Sequence, residues 1–550
     1  MNINLLYTIT LIPSILFIIT SITSVFKQKN NLFLVKKMSL IAAILGVGTS
    51  FACFFMLINK EVIESPFIGI NNIGFSFRYD TLSVIMLSMI SILSFIVIRF
   101  SHNYLDGDDK QSIFIGRLSA TIASVQLLVI SGNLGVLFIS WVLTSVFLQR
   151  LLLFYKDRPR AKIAATKKFI VARVGDLSLL IAFYLLYIRF DSGNLEIIFQ
   201  SIQSKGSIGG IEDIAILIGI AAILKSAQFP LHGWLIEVME TPTPVSALLH
   251  AGLLNAGPFL VIRMANIIEL SEYTSIFLIV IGSLTAVFAS IVYLTQTSIK
   301  TALGYSSIAH MGFSLFVCGL GLYPAALLHL VAHSFYKAHA FLSSGSAIEV
   351  VKATKLNSNQ RIGNPLRIFA GIILGFSTYA LFAWMWGVNV NENIYLFILG
   401  GIIALGLSRI FTSSLDSNGS VYSFIQLGIL ATIITNSFFV FENLFHSALE
   451  PLVPNQLPPS FAEYTIVGVI ALIYISVVFI QIFSPNIKQH VFTQKMAIHF
   501  KNGLYMNVLF DRLVRSINVN EINEESSIKD KPVLIANEKY SKQKLEEIYS

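Results

Sequence analysis

The chain has 550 residues, 55% of them apolar, and its 38 basic and 30 acidic side chains make it only 12% charged, with a formal net charge of +8. An average soluble domain carries roughly 25% charged residues, so this chain cannot cover a soluble surface of its size. A secreted disulfide scaffold, a disordered chain and an ordinary cytosolic enzyme are excluded, and a mean hydropathy of +0.74 points to an all-α polytopic membrane protein.

A helix needs about 20 apolar residues to cross the hydrocarbon core. Runs of that kind predict about fifteen spans, near 4–26, 38–58, 81–99, 113–131, 133–154, 169–189, 211–228, 243–263, 273–295, 301–321, 324–349, 366–387, 393–412, 421–441 and 463–484. The first run has no basic residue before it and Lys27 and Lys29 after it, the reverse of a signal peptide, so it is expected to span. The seventh is irregular. It stops at Lys225-Ser-Ala-Gln-Phe-Pro230, resumes through Trp234 to Met239, and meets a second break at Pro242 and Pro244. Cys53 and Cys318 lie inside apolar runs and read as packing residues. From Pro485 the charge density returns to a soluble value, with an amphipathic pattern in which Leu504, Val508, Leu509 and Leu513 alternate with Asp511, Arg512 and Arg515. The expected division is N-terminal helices over 1–110, a core over 111–412, further helices over 413–484 and a polar tail over 485–550.

Loop charges set an orientation. The loops after the odd-numbered spans hold Lys27, Lys29, Lys36 and Lys37, then Arg99, Lys110 and Arg117, then Lys156, Arg158, Arg160, Lys162, Lys167 and Lys168, and later Lys352, Lys355, Arg361 and Arg367. The opposite side holds Lys60, Arg78, Arg189, Lys205 and Arg263 among more numerous acids. The asymmetry predicts an N-terminus outside and a C-terminus inside the cytoplasmic membrane. Net charge thus reports topology rather than nucleic-acid binding. The chain shows no Walker loop, dinucleotide fingerprint or cysteine cluster, so no cofactor is expected and no enzymatic chemistry is assigned to it.

An ionisable group at mid-bilayer costs at least about 2.5–3.5 kcal/mol, so each one needs a reason. Lys225 ends an apolar helix at a Pro-marked break, where freed carbonyls and helix ends can hold an ion or water; the alternative is a lysine snorkelling to the interface. His250 follows on the next helix, either as a relay group or as a satisfied core histidine. His329, His333 and Lys337 are spaced i, i+4, i+8 and form one polar stripe about 12 Å long, as a proton wire requires. A His-x3-His metal site is the alternative there, although no acidic or cysteine ligand lies nearby on the helix. Lys300 opens the tenth span, His310 lies deeper on it, and His339 faces away from the stripe. Arg173 and Asp176 enter the sixth span at i, i+3, as a mutual pair or as modulators of a nearby lysine. Glu237 and Glu240 flank the helix break.

The segment from Lys225 to Gly252, with Arg173-Val-Gly-Asp176, Lys300-Thr-Ala-Leu-Gly-Tyr-Ser-Ser and His329-x3-His333-x3-Lys337, resembles the antiporter-like membrane subunits of respiratory complex I and Mrp cation/proton antiporters. The likeness covers roughly residues 80–350. It implies two inverted five-helix repeats with broken helices, and proton transfer by Lys225, His250, Lys300, His329, His333 and Lys337, with Asp176 in support. Two positions depart from the complex I pattern: Val142 follows Trp141 where a glutamate is expected, and the stretch Leu366 to Gly387 lacks a lysine. Trp141-x-x-Thr144-Ser145, His232-Gly-Trp-Leu-Ile236 and the Phe154 to Phe169 loop are similar to the membrane subunits of two-component inorganic-carbon transporters, the DabB group. That resemblance implies a large, zinc-containing, carbonic-anhydrase-like cytoplasmic partner of the DabA type and a driving flow of H⁺ or Na⁺.

Overall fold

A computed structural model describes residues 3–517 except 27–30, 58–61, 71, 156–158, 206–208, 239–240, 346–363, 389–393, 417–420, 455–459 and 484–490. The first two helices are α1 (Ile3–Val25) and α2 (Leu32–Leu57). Between α2 and α3 (Thr81–Tyr104) the chain makes two antiparallel ribbons that hydropathy had left unassigned: β1 (Val62–Glu64) pairs with β4 (Arg78–Asp80), and β2 (Ile68–Ile70) with β3 (Ile73–Phe75). There follow α4 (Gln111–Val129), α5 (Leu134–Leu152), α6 (Pro159–Phe190), α7 (Leu195–Lys205) and α8 (Ile211–Lys225). The break predicted after Lys225 is real, and only the short α9 (Gly233–Glu237) follows it.

The next span is a composite of α10 (Thr243–Leu248), a π turn (Leu249–Leu253) and α11 (Ala256–Arg263), with the one-turn α12 (Ala265–Ile268) behind it. The long α13 (Glu272–Thr295), α14 (Ile299–Gly319) and α15 (Tyr323–Leu342) complete the central group. Four more long helices, Pro365–Met385, Ile394–Leu415, Val421–Leu449 and Phe461–Ile482, follow in order. Among the described residues thirteen helices are long and apolar enough to cross a membrane. The two remaining sequence spans are α8, shortened by its break, and α15, whose polar stripe lowers its hydropathy. The protein is an all-α polytopic membrane protein.

Polar caps start several of these helices: the side chains of Asp80, Asn133, Ser271 and Ser298 accept first-turn N–H groups of α3, α5, α13 and α14. Small residues then let the helices close up. At Gly282 and Gly312 a Cβ would meet the facing backbone at 2.5 and 2.6 Å, so α13 and α14 cross at a distance only glycine allows. The composite span Thr243–Arg263 is wholly buried, whereas Phe461–Ile480 buries little and presents side chains such as Leu472 and Ile480 outward. Cys53 and Cys318 are buried, unpaired packing residues. The chain divides into two compact units, Met1–Leu504 and Tyr505–Ser550. The second is described only through the helix Met506–Ile517, which forms where the amphipathic pattern predicts one.

Four charges counted as loop residues are not at the surface. Lys167 and Lys168 lie inside α6 at 0% and 6% exposure, because α6 continues the apolar span back to Pro159. Arg78 and Arg263 are buried in an ion network centred on Asp80, the N-cap of α3: Arg78 Nε donates to it at 2.7 Å and Arg263 Nη2 at 3.1 Å. Glu64 and Glu196 complete the network from the Arg78 side. Lys27, Lys29, Lys60, Lys156, Arg158, Lys352, Lys355 and Arg361 lie outside the described residues.

Candidate functional site

The site begins at the C-terminal end of α8. Lys225 Nζ donates to the Trp141 carbonyl oxygen at 2.9 Å, to Thr144 Oγ1 at 2.8 Å and to Ser145 Oγ at 2.8 Å, all on α5. It also lies 4.3 Å from the centroid of the Trp141 ring. Residues i+3 and i+4 from Trp141 share its helix face, so the Trp-x-x-Thr-Ser spacing supplies one carbonyl, two hydroxyls and an aromatic face to one ammonium group. Among the described residues no carboxylate bonds Lys225 directly. The acid lies on α6, where Asp176 pairs with Arg173 at 2.6 Å and borders the same cavity of about 20 Å³, the size of a single water.

The backbone behind Lys225 turns through Ala227 at φ 52, and Ser226 Oγ donates to the Leu254 carbonyl at 3.1 Å, which ties the break to the composite helix. Glu237, on α9, pairs with Lys167 at 2.6 Å; Glu240 lies outside the described residues. His232, inside the break, is buried and packs on Phe229 and Phe288.

His250 sits in the π turn. A π turn carries one residue more than an α turn and rotates the side chain that follows. His250 is fully buried, stacked on Phe341 of α15 at 4.4 Å between centroids, and neither ring nitrogen has a hydrogen-bond partner among the described residues. Asn255, just past the turn, donates to Ser334 Oγ of α15 at 2.6 Å.

Lys300, on the first turn of α14, reaches Thr243 Oγ1 at 3.4 Å. One turn on, the Leu303 carbonyl accepts from Lys337 Nζ at 3.3 Å; Lys337 is fully buried. His310 joins the α15 stripe, with its Nδ1 3.2 Å from His329 Nε2 and its ring centroid 4.8 Å from that of His333. His329 and His333 are 6.0 Å apart, while His339 is exposed and apart from the cluster. A cavity of about 360 Å³ borders His310 and His329 and extends to Ser290, Ser306 and Arg409.

The structure therefore gathers the sequence-predicted residues into three groups: Lys225 with Asp176 and Arg173, His250 against α15, and Lys337 with His333, His310 and His329, while Lys300 touches the composite helix. Four features escaped the sequence reading. Thr144 and Ser145 were visible as a motif but not as lysine ligands. Lys168 reads in the sequence as a loop charge, His232 as part of a motif with no role of its own, and Arg409 carries no sequence signal. A hydroxyl pair one helical turn past a buried Trp is the signal that could have found the first.

Two family models match the chain: NADH:quinone oxidoreductase/Mrp antiporter, TM, over residues 131–383, and the NADH-ubiquinone oxidoreductase (complex I) chain 5 N-terminus over 67–115. A probable inorganic carbon transporter subunit DabB2 of Halothiobacillus neapolitanus is 34% identical over 454 residues, 81% of each chain. A probable inorganic carbon transporter subunit DabB of Hydrogenovibrio crunogenus is 35% identical, covering 77% of this chain and 79% of the relative. The fold matches a chain of the Mrp complex from Dietzia sp. DQ12-45-1b with a TM-score of 0.66 at 19% identity, over 97% of this chain and 61% of that longer one. The chain belongs to the antiporter-like membrane-subunit family of complex I, Mrp antiporters and DabB, and aligns with DabB subunits over about four-fifths of its length.

Proposed function

We propose that this chain is the ion-driven, proton-carrying membrane subunit of an inorganic-carbon uptake complex. The observation that carries the reading is the set of buried and half-buried titratable groups on the spanning helices, Lys225, His250, Lys337, His333, His310 and His329, in a chain whose relatives are named inorganic carbon transporter subunits. Lys225 is the switching group. Its ammonium is held by neutral oxygens, and the Asp176 carboxylate lining the same cavity is already paired with Arg173, so gain or loss of a proton at Lys225 changes the local field sharply. His250, Lys300 and Lys337 pass that change toward the histidine cluster, where three imidazoles stand ring to ring.

The carbon chemistry then belongs to a large cytoplasmic partner with a zinc, carbonic-anhydrase-like centre. That partner docks on the basic, cytoplasmic side of a chain whose N-terminus faces out. Proton flow through this subunit drives the partner's conversion of carbon dioxide to bicarbonate. The complex I and Mrp family models favour a second reading, a proton-translocating subunit of a quinone reductase or a cation/proton antiporter; recovery with quinone-reducing subunits would support it.

The test is Lys225→Met in the intact complex, expressed in a host lacking carbonic anhydrase and supplied with labelled bicarbonate. Uptake is expected to fall by roughly a hundredfold, the usual contribution of a positioned proton-transfer group. Uptake at the unmodified rate, with the complex assembled, defeats the relay.

A further inference from the structure

Two adjacent lysines of α6 are withdrawn from the surface, and they are treated differently. Lys167 has a carboxylate partner, Glu237 at 2.6 Å. Lys168 Nζ donates instead to the Ser145 carbonyl oxygen at 2.7 Å and lines the same cavity as Lys225 and Asp176. Lys168, Ala172 and Asp176 follow i, i+4, i+8, so they form one face of α6 about 12 Å long. Lys168 stands at the end of that stripe nearer Pro159.

Ser145 links the two amines. Its hydroxyl accepts from Lys225 at 2.8 Å and its carbonyl from Lys168 at 2.7 Å. Two hydrogen bonds and the span of one residue place the nitrogens within about 10 Å of each other. The charged groups facing this pair are few. Arg173 and Asp176 on α6 neutralise each other, Lys167 is paired with Glu237 of α9, and α5 lines the site with the uncharged Trp141, Thr144, Ser145 and Leu148. The composite helix carries His250 in its π turn. Two ammonium groups on neutral oxygens on either side of one serine repel, so their protonation is coupled.

We propose that Lys168 is a second proton-carrying residue of this site, exchanging a proton with Lys225 by way of the Ser145 hydroxyl and the water-sized space beside it. The step balances: one N–H bond breaks at the Lys168 ammonium, one forms at the Lys225 amine, and the total charge is unchanged. Lys168 thereby connects the Pro159 end of α6 to the central lysine.

This inference rests on the proton-carrying function proposed above, and the experiment separates the two. A lysine that merely ties α6 to α5 needs only a donor for the Ser145 carbonyl, which arginine and glutamine also provide. A carrier must release its proton, which neither can do near neutral pH. Lys168→Arg, Lys168→Gln and Lys225→Met are therefore compared in the full complex by labelled bicarbonate uptake per assembled complex. All three are expected to lose roughly tenfold or more. Normal uptake by either Lys168 variant beside an inactive Lys225→Met overturns the inference and leaves the proposed function standing. Normal uptake by Lys225→Met sinks the proposed function, and this inference with it. Loss of both Lys168 variants from the membrane assigns Lys168 to the fold and also overturns the inference.

Discussion

Asp80 shows how a single buried carboxylate can hold one end of a membrane protein together. Burial acts to raise its pKa, but the charges and hydrogen bonds of Arg263 and Arg78 overcome that and hold the carboxyl well below the usual carboxylate range. Glu64, at the rim of the same network, is shifted the other way, because burial outweighs its bonds to Asn194 and Arg78. For a carboxylate whose folded-state pKa is depressed, the stabilisation is present above the unfolded value near 4 and is lost as pH falls through the folded value. Asp80→Asn leaves two buried guanidinium groups without their shared counter-charge and should cost about 3–5 kcal/mol. The expected readout is a lower thermal midpoint of the detergent-solubilised protein at pH 7, with the deficit shrinking below about pH 4. A deficit that stays constant into acid would mean that packing, not charge, is what the aspartate provides.

Among the helices, α13 and α14 carry the tightest constraint on the histidine cluster. His310 lies two residues before Gly312, whose missing side chain admits the Gly282 carbonyl oxygen at 2.6 Å from where a Cβ would stand. Gly312→Ala must push backbone against backbone, and overpacking of this kind costs typically about 1–3 kcal/mol. Separation of the two helices would also lift His310 from the rings of His329 and His333. Gly312→Ala is therefore expected to melt earlier and to transport more slowly even though no titratable group is changed; parity with the unmodified protein in both measurements would refute the coupling. Elements of this kind mark how far the sequence could be read. Long apolar runs located the spanning helices, and the prolines located the break after Lys225, because hydropathy and proline chemistry are local. The convergence of His310 on His329, the stacking of His250 on Phe341 and the burial of Lys168 depend on which helix lies opposite, which no window of sequence contains. Even the π turn, which aims His250, has no proline or glycine at the histidine itself to announce it.

Across the whole molecule, the burial of four cations changes the charge argument for orientation without reversing it. With Lys167 and Lys168 removed from one side, and Arg78 and Arg263 from the other, the basic excess still falls on the loops after the first, third, fifth and eleventh spans. Single cysteines placed at Lys162 and at Asp191, in a chain whose buried Cys53 and Cys318 are replaced by serine, should be reached by a membrane-impermeant maleimide from opposite sides. Asp191 is expected to react in intact cells and Lys162 only after lysis. Labelling of both from outside would overturn the orientation.

The seat of Lys225 has a consequence beyond binding. Thr144 and Ser145 hydroxyls accept from an ammonium, yet each can swing its hydrogen about the Cβ–Oγ bond and donate to a neutral amine instead. The same three oxygens therefore satisfy both forms of the lysine with no displacement of a heavy atom. Little reorganisation would accompany a change of protonation, and the charged and neutral enclosures should superimpose almost atom for atom, differing only in the direction of one O–H bond.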